Sequence, residues 1–187
     1  MDNLLAHFLS QGVPAGEVNE IMEAFKFKKL GKGDYFVEEG KTSKQIAFVS
    51  KGMFQYFYAK DGKEITTYVS GANAFLASLL SFFRQQPSKE YIRALSDAEI
   101  WTLHFNDLDK LRKTNQAFRT FYIGALESLA VGMDETRSNL IILTAEERYA
   151  TMVKHEPALI QQIPLQYLAS ILAVTPRHLS RIRRNFC

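Results

Sequence analysis

The fold is decided near the end of the chain, at residues 164–184, which read PLQYLASILAVTPRHLSRIRR. In the first part of this stretch, apolar residues recur at the spacing i, i+3, i+4 and i+7, which is typical of one face of a two-turn helix: Leu165, Leu168, Ala169 and Leu172. Ala173-Val174 then leaves room for a tight connection only. Thr175-Pro176 predicts an N-cap and a first-turn proline, so a second helix begins there.

The second helix has two chemically different sides on a helical wheel. One side is apolar and is predicted to be buried; it consists of Leu179, Ile182 and Phe186. The opposite side is rich in arginine and consists of Arg177, Ser180, Arg181 and Arg184, with His178 beside them. Two short helices with a minimal turn and such a second helix are the arrangement of a helix-turn-helix. Arginine suits this side because its planar fork bonds the O6 and N7 atoms of guanine, or two phosphate oxygens, with parallel hydrogen bonds.

A helix whose basic side is merely solvated is the simpler alternative. Three features favour the helix-turn-helix: the capped turn, the small Ala169 where the two helices cross, and the lack of an acidic residue on the basic side. The charge distribution agrees with them. The formal net charge is +3; residues 1–139 are neutral, and residues 157–187 contain four arginines and no acidic residue. Such asymmetry indicates a nucleic-acid or membrane partner for the basic part.

The composition excludes several classes of protein. With 47% hydrophobic and 23% charged residues, disorder is excluded, and no apolar run approaches the length of a membrane span. The N-terminus lacks the features of a signal peptide. The single cysteine, Cys187, excludes a disulfide framework and a cysteine-rich metal or iron–sulfur site, and we interpret it as an exposed bystander. We therefore expect a protein of the cytoplasm, without a membrane partner.

Residues 27–105 are predicted to form a β-sandwich or barrel. Short β-type runs alternate with turns roughly every ten residues, and Asp61-Gly62 between two such runs predicts a hairpin. The runs are Tyr35–Val37, Ile46–Val49, Phe54–Tyr58, Ile65–Val69, Tyr91–Leu95 and Glu99–Leu103, with a small helix predicted at Phe75–Phe83. A short helix over residues 14–25 precedes them.

After Phe105 the pattern is helical. Asn106 is predicted to cap a short helix, and a long helix follows whose apolar residues are spaced 4-3-4-3, as in a pair of helices: Phe118, Tyr122, Ala125, Leu129 and Gly132. This seam either dimerises the protein or packs on the barrel of the same chain, and the length of the helix favours dimerisation. Thr144 with Glu147 forms a capping box that begins the next helix, which Glu156-Pro157 is predicted to end.

On residues 164–183, and on the glycine-punctuated strands between Gly31 and Gly52, the chain resembles the cyclic-AMP receptor protein/fumarate-nitrate regulator (CRP/FNR) superfamily. The resemblance implies an α+β fold: a cyclic-nucleotide-binding-like jelly roll at 1–113, a dimerisation helix at 114–140 and an all-α helix-turn-helix domain at 141–187. Ala173 departs from the pattern, since most members have glycine there.

The resemblance also implies function and site residues. The protein is expected to be a bacterial-type, homodimeric transcription regulator that binds a near-palindromic operator in double-stranded DNA. Arg177, Ser180 and Arg181 would face base edges, and His178 would make a minor contact. Arg184, Gln166 and Tyr167 are candidates for phosphate contacts. The alternative is a ligand-binding or interaction module whose terminal helices dock on a protein.

The resemblance places a Gly-Glu pair and an arginine at the ribose and cyclic phosphate of a bound cyclic nucleotide. Here Leu76-Ala77 stands where Gly-Glu would be and Ser88 where the arginine would be. Because a buried phosphate needs a paired cation, we expect no tight binding of cyclic AMP. A different small-molecule effector is possible, with a candidate pocket at Phe75, Ser78, Arg84, Ser88 and Lys89.

Enzymatic sites are not evident. A metal-dependent jelly-roll enzyme needs several histidines on facing strands, and the β-region has His104 alone. His7, His155 and His178 lie in helical contexts and are explained without a metal. We therefore expect no enzyme activity, no cofactor and no metal site.

Overall fold

We describe a computed structural model of the chain, which covers residues 2–186; Cys187 lies outside the described residues. Its strands are β1 Lys26–Leu30, β2 Tyr35–Val37, β3 Gln45–Lys51, β4 Phe54–Lys60, β5 Lys63–Ser70, β6 Phe75–Leu76, β7 Tyr91–Ala94 and β8 Ala98–His104. Its helices are α1 Asp2–Ser10, α2 Val18–Glu23, α3 Leu79–Arg84, α4 Phe105–Thr114, α5 Gln116–Ile142, α6 Ala145–His155, α7 Pro157–Gln162, α8 Leu165–Ile171 and α9 Pro176–Arg184.

The strands form two four-stranded sheets, in the orders β1-β8-β3-β6 and β2-β7-β4-β5. The β1–β8, β3–β8, β3–β6 and β2–β7 pairs are antiparallel. Asp61 and Gly62, at φ 51° and 71°, make the tight turn between β4 and β5, as predicted. Residues with φ > 0 at both positions match the right-handed twist of a hairpin. The predicted α+β fold with a jelly-roll-like domain is confirmed.

Two apolar cores explain why these strands and helices form. The first fills the space between the sheets and includes Leu30, Phe54, Leu76 and Ile100. The second joins the other face of the β3–β8 sheet to helices, with buried residues from α1, α2, α4 and α5. Successive residues of strand β3 point to opposite faces of the sheet, so Ala47 belongs to the first core and Phe48 to the second.

The structure contains two helices to which the sequence analysis gave no bounds. In α1, Leu4 and Phe8 are spaced i, i+4 and are both fully buried, so the helix contributes one narrow stripe to the second core. Helix α7 begins at Pro157, which occupies its first turn. The proline that ends α6 therefore also begins a helix, as its fixed φ allows.

The chain divides into two compact units. Among the described residues, one contains residues 2–56 and 70–127, and the other contains residues 57–69 and 128–186. The hairpin residues 57–69 thus group with the terminal helices: the Ser170 hydroxyl donates a hydrogen bond to the Thr66 carbonyl at 2.9 Å. The predicted domain boundaries, after residues 113 and 140, stay a prediction.

None of the helices within residues 2–186 combines the length and the apolar character that crossing a membrane requires.

Candidate nucleic-acid interface

Helices α8 and α9 pack through small and apolar side chains. Leu168 and Ala169 on α8 and Leu179 and Ile182 on α9 are all buried. The small Ala169 lies in this interface, as expected for a close crossing of two helices. The contact fixes α9 by one side and leaves its opposite side to solvent.

The start of α9 has the predicted cap. The Thr175 hydroxyl accepts a hydrogen bond from the His178 amide at 3.2 Å, and Pro176 occupies the first turn. This cap satisfies an amide that has no partner within the helix. It fixes the residue at which the helix begins and therefore the side on which the arginines lie.

The turn between the helices is a Schellman motif with alanine at the position that glycine usually occupies. The Val174 amide donates to the Ala169 carbonyl and the Ala173 amide to the Ser170 carbonyl, both at 3.0 Å. Ala173 has φ 55°, in the left-handed region. Its methyl group is exposed, so the unusual residue is accommodated without a steric conflict with other helices.

The outer side of α9 presents three exposed arginines, Arg177, Arg181 and Arg184. Over the described part of the chain, no carboxylate forms an ion pair with any of them. Ser180 lies among them and donates its hydroxyl proton to the Pro176 carbonyl at 3.0 Å. Toward a ligand, this hydroxyl therefore offers its oxygen lone pairs as acceptors.

The remaining predicted contact residues lie at the margin of this surface. His178 is exposed on α9. On α8, Gln166 is exposed and Tyr167 is half-buried. We use the name recognition surface for the set Gln166, Tyr167, Arg177, His178, Ser180, Arg181 and Arg184.

A carboxylate that the sequence analysis did not place lies beside this surface. Glu146, in the first turn of α6, accepts a hydrogen bond from the Asn185 side chain at 3.0 Å. Glu146 and Asn185 line an open groove of about 480 Å³, and the other residues that line it are His178, Arg181, Ile182 and Arg184. The basic side of α9 itself carries no acidic residue, as its sequence requires, and the carboxylate beside it comes from α6, outside the helix-turn-helix.

The prediction that Phe186 is buried on the apolar side of α9 is wrong. The helix ends at Arg184, and Phe186 lies beyond it with 46% of its surface exposed. Its ring meets the buried Tyr149 of α6 edge-on, with ring centroids 5.4 Å apart. Once the helix has ended, the helical periodicity no longer determines where the side chain points.

Arg148 of α6 is a further residue that sequence reasoning missed. Its guanidinium donates to the carbonyl of Leu143, just after α5, and to that of Leu172, the C-cap of α8, both at 2.8 Å. The side chain is partly buried. No local pattern could reveal this role, because Leu172 is 24 residues away in sequence.

Helix α5 has the predicted length, but only part of the predicted seam is accessible. Phe118 is 2% exposed within the core formed with α1 and α2, so it has no surface left for a second helix. Its assignment to a dimer interface is wrong. Tyr122 is half-buried against the same core, whereas Ala125 and Leu129 are exposed and Gly132 is half-buried.

The exposed apolar surface of α5 continues further toward its C-terminus than the sequence seam does. Several large apolar side chains there lie substantially in solvent: Ile123, Leu129, Val131, Met133, Leu140, Ile141 and Ile142. Exposed apolar groups in this number are unusual for a helix that faces only water.

In the other unit, the barrel residues at the expected cyclic-nucleotide position form their own polar network. Ser78 and Ser88 are buried, with their hydroxyl oxygens 3.1 Å apart. The Ser78 hydroxyl also lies 2.8 Å from a Glu90 carboxylate oxygen, and the Ser88 hydroxyl lies 2.8 Å from the Glu90 carbonyl. Burial raises the pKa of the Glu90 carboxyl, and the hydrogen bond from Ser78 opposes that rise.

The other residues of the predicted effector pocket do not join this network. Arg84 and Lys89 are exposed. Phe75 packs against the helical core, with its ring 5.3 Å from that of Phe48 and 5.5 Å from that of His7. The pocket shared by these five residues stays a prediction, and in the network that the structure shows Glu90 takes part and no cation does.

Across residues 2–186, no group of three or more His, Cys, Asp or Glu side chains is arranged to hold a metal ion.

Comparison with known proteins gives a family model and a set of solved structures. Residues 27–115 match the model of the cyclic nucleotide-binding domain. A comparison with curated proteins found no significant match.

The solved structures are similar over most of the chain. The c-di-GMP-responsive global regulator CLP of Xanthomonas campestris has 17% identity and a TM-score of 0.67, with 92% of this chain and 91% of that chain covered. The catabolite activator protein of Thermus thermophilus has 19% identity and a TM-score of 0.60, with 95% and 85% covered. A CRP/FNR-family regulator of Eubacterium rectale has 15% identity and a TM-score of 0.65, with 95% and 85% covered. At these identities the similarity establishes the fold.

Proposed function

We propose that this chain, which has a cyclic nucleotide-binding domain and the CRP/FNR fold, is a homodimeric transcription regulator that binds DNA sequence-specifically. The observation that carries the proposal is the outer side of α9, where three exposed arginines stand on a helix held by the buried Leu179 and Ile182. A helix fixed in this way can enter a major groove as a rigid element.

Within the recognition surface, we assign roles by position and chemistry. Arg177 and Arg181 project from the first and second turns of α9 and are assigned to base edges, since a guanidinium can bond guanine with two parallel hydrogen bonds. Ser180 is assigned to a donor on a base edge, because its own proton is engaged with Pro176. Gln166, Tyr167 and Arg184 are assigned to phosphates and His178 to a minor contact.

Dimerisation through α5 is part of the same proposal. The exposed apolar residues of α5 from Ile123 to Met133 supply the surface, and we assign Ala125, Leu129 and Gly132 to the contact. A parallel pair of such helices would place two recognition helices about one DNA turn apart, roughly 34 Å, and would require a near-palindromic operator. We assign no enzymatic reaction to the chain.

We propose that any effector of the barrel is a molecule other than cyclic AMP. The Ser78–Ser88–Glu90 network supports this, because it offers a phosphate no cation and adds a carboxyl group. A buried phosphate without a paired cation is strongly unfavourable. Isothermal titration with cyclic AMP is expected to show no binding in the micromolar range.

The experiment that tests DNA binding compares two arginine-to-alanine variants. A near-palindromic duplex is first selected from a random-sequence library with the full chain. Arg181→Ala is then expected to weaken binding to that duplex by about 1–3 kcal/mol and to relax the preference at one base position. Arg137→Ala is the control, since Arg137 is an exposed arginine of α5 that pairs with Asp134. It removes the same charge and is expected to leave the selected sequence unchanged.

Salt dependence separates this function from the alternative. If the terminal helices contact phosphates, the affinity must fall steeply with salt, because bound counterions are released. An Arg181→Ala variant that weakens all duplexes equally would make Arg181 a phosphate contact. Failure of the wild-type chain to enrich any duplex at low salt would reject the proposal in favour of a protein-docking module.

A further inference from the structure

We infer that Arg148 is a positioning residue that holds the helix-turn-helix at a fixed orientation to the end of α5. The inference rests on the proposed function, because orientation matters only if two recognition helices must reach one DNA site. It begins from the two carbonyls that the guanidinium joins, Leu143 after α5 and Leu172 at the end of α8. All three residues belong to the same compact unit.

The chemistry at both carbonyls favours a cation. The last carbonyls of a helix lack partners within the helix and carry partial negative charge. Helices α5 and α8 have no basic residue in their last turns. Arg148 therefore supplies from α6 the positive charge and the donors that each helix end lacks in its own sequence.

The geometry favours arginine over lysine. Separate nitrogens of the guanidinium reach the two carbonyls, each at 2.8 Å, so one rigid plane fixes both helix ends. A lysine ammonium is a flexible point charge and does not impose that spacing. The capping box holds the base of Arg148: Thr144 accepts from the Glu147 amide, and Glu147 accepts from the Thr144 amide.

The consequence concerns DNA spacing. Leu172 directly precedes the turn of the helix-turn-helix, so a guanidinium bound there determines how α8 and α9 stand relative to α5. In a dimer joined through α5, this sets the separation of the two recognition helices. Loss of the clamp should leave each recognition surface intact but broaden the range of half-site spacings that the dimer accepts.

The DNA experiment uses the duplex selected with the wild-type chain and versions of it with the half-site spacing changed by one and two base pairs. Wild type and the control Arg137→Met are expected to lose about tenfold or more in affinity at altered spacing. Arg148→Met is expected to lose less than about threefold on respacing and to bind a single half-site within about twofold of wild type. Arg148→Lys, which keeps the charge, should be intermediate. An unchanged spacing profile in Arg148→Met would overturn the inference.

A second measurement does not depend on DNA. Spin labels on Glu135→Cys and Gln166→Cys, in a Cys187→Ser background diluted with unlabelled protein, report the distance from α5 to α8 within one chain. The distribution should be narrow in wild type and Arg137→Met and about twice as broad in Arg148→Met. Equal widths would also overturn the inference. If the wild-type chain selects no duplex, the proposed function fails by itself, and the distances still show whether Arg148 holds the helices.

Discussion

Replacing Ala173 by glycine should stabilise the protein, although glycine usually weakens a chain. Ala173 lies in the left-handed region at φ 55°, in the turn that joins α8 to α9. Its side chain is exposed, so its removal sacrifices no buried contact. The turn hydrogen bonds from Ala173 and Val174 use backbone atoms only and are kept in the variant.

The expected magnitude follows from two opposing terms. An L-residue in the left-handed conformation costs about 1–2 kcal/mol relative to glycine, because its Cβ crowds the following carbonyl oxygen. Glycine loses more chain entropy on folding, which offsets roughly 0.5–1 kcal/mol of the gain. We therefore expect Ala173→Gly to raise the free energy of unfolding by about 0.75 kcal/mol, the midpoint of the roughly 0–1.5 kcal/mol that the two terms allow.

The matched control is Ala130→Gly, at an exposed alanine in the interior of α5. Both residues belong to the same compact unit. In a helix interior the same substitution should lower the free energy of unfolding by about 1 kcal/mol. The two variants are thus expected to shift stability in opposite directions.

Urea denaturation followed by far-ultraviolet circular dichroism measures both variants. Fluorescence of Trp101, the single tryptophan, reports on the other unit and should change little in either variant. Were Ala173→Gly to destabilise the protein as much as Ala130→Gly does, the left-handed conformation at residue 173 would be refuted.

Three further substitutions test other parts of the structure. Leu129→Glu should convert the proposed dimer to a monomer in light scattering, because it places a charge in the exposed apolar seam; Glu127→Gln, at an exposed site of α5, is its control. Thr144→Ala should cost about 1 kcal/mol in urea denaturation through loss of the capping box. Burial lowers the pKa of His7, so below about pH 6.5 the unfolded state binds more protons and stability falls as the pH decreases. In His7→Phe, the stability measured by Trp101 fluorescence should fall less steeply as the pH decreases. An unchanged dependence of stability on pH would exclude His7 as the source of the decrease.

The helix-turn-helix was predictable because its signals are local. Thr175 caps the helix that it directly precedes, and Leu179 and Ile182 are spaced by the period of that helix. Asp61-Gly62 is a similar case, since the turn depends on the conformations of the two residues themselves. Interactions between sequence neighbours can be read from the sequence without knowledge of the rest of the fold.

Three of the missed or wrong assignments depend on distant contacts. The spacing of Phe118 fits a seam with a second helix equally well as a core with α1, and only the position of α1 decides between them. Glu146 reaches the recognition surface from another helix, across 39 residues of sequence to Asn185. Arg148 serves two helix ends that the sequence does not place side by side.

The barrel shows why a domain match does not identify a ligand. The strands that match a cyclic nucleotide-binding domain are held by the apolar core between the sheets, with Phe54 and Ile100 among its residues. The polar residues that select a ligand make no contribution to that core and can change without loss of the fold. In this chain the buried Ser78 and Ser88 bond each other and Glu90. In its ionised form this carboxyl group repels a phosphate, and in neither form does it supply the cation that a phosphate needs, so the network lacks the chemistry that a cyclic phosphate requires although the strands around it match the domain.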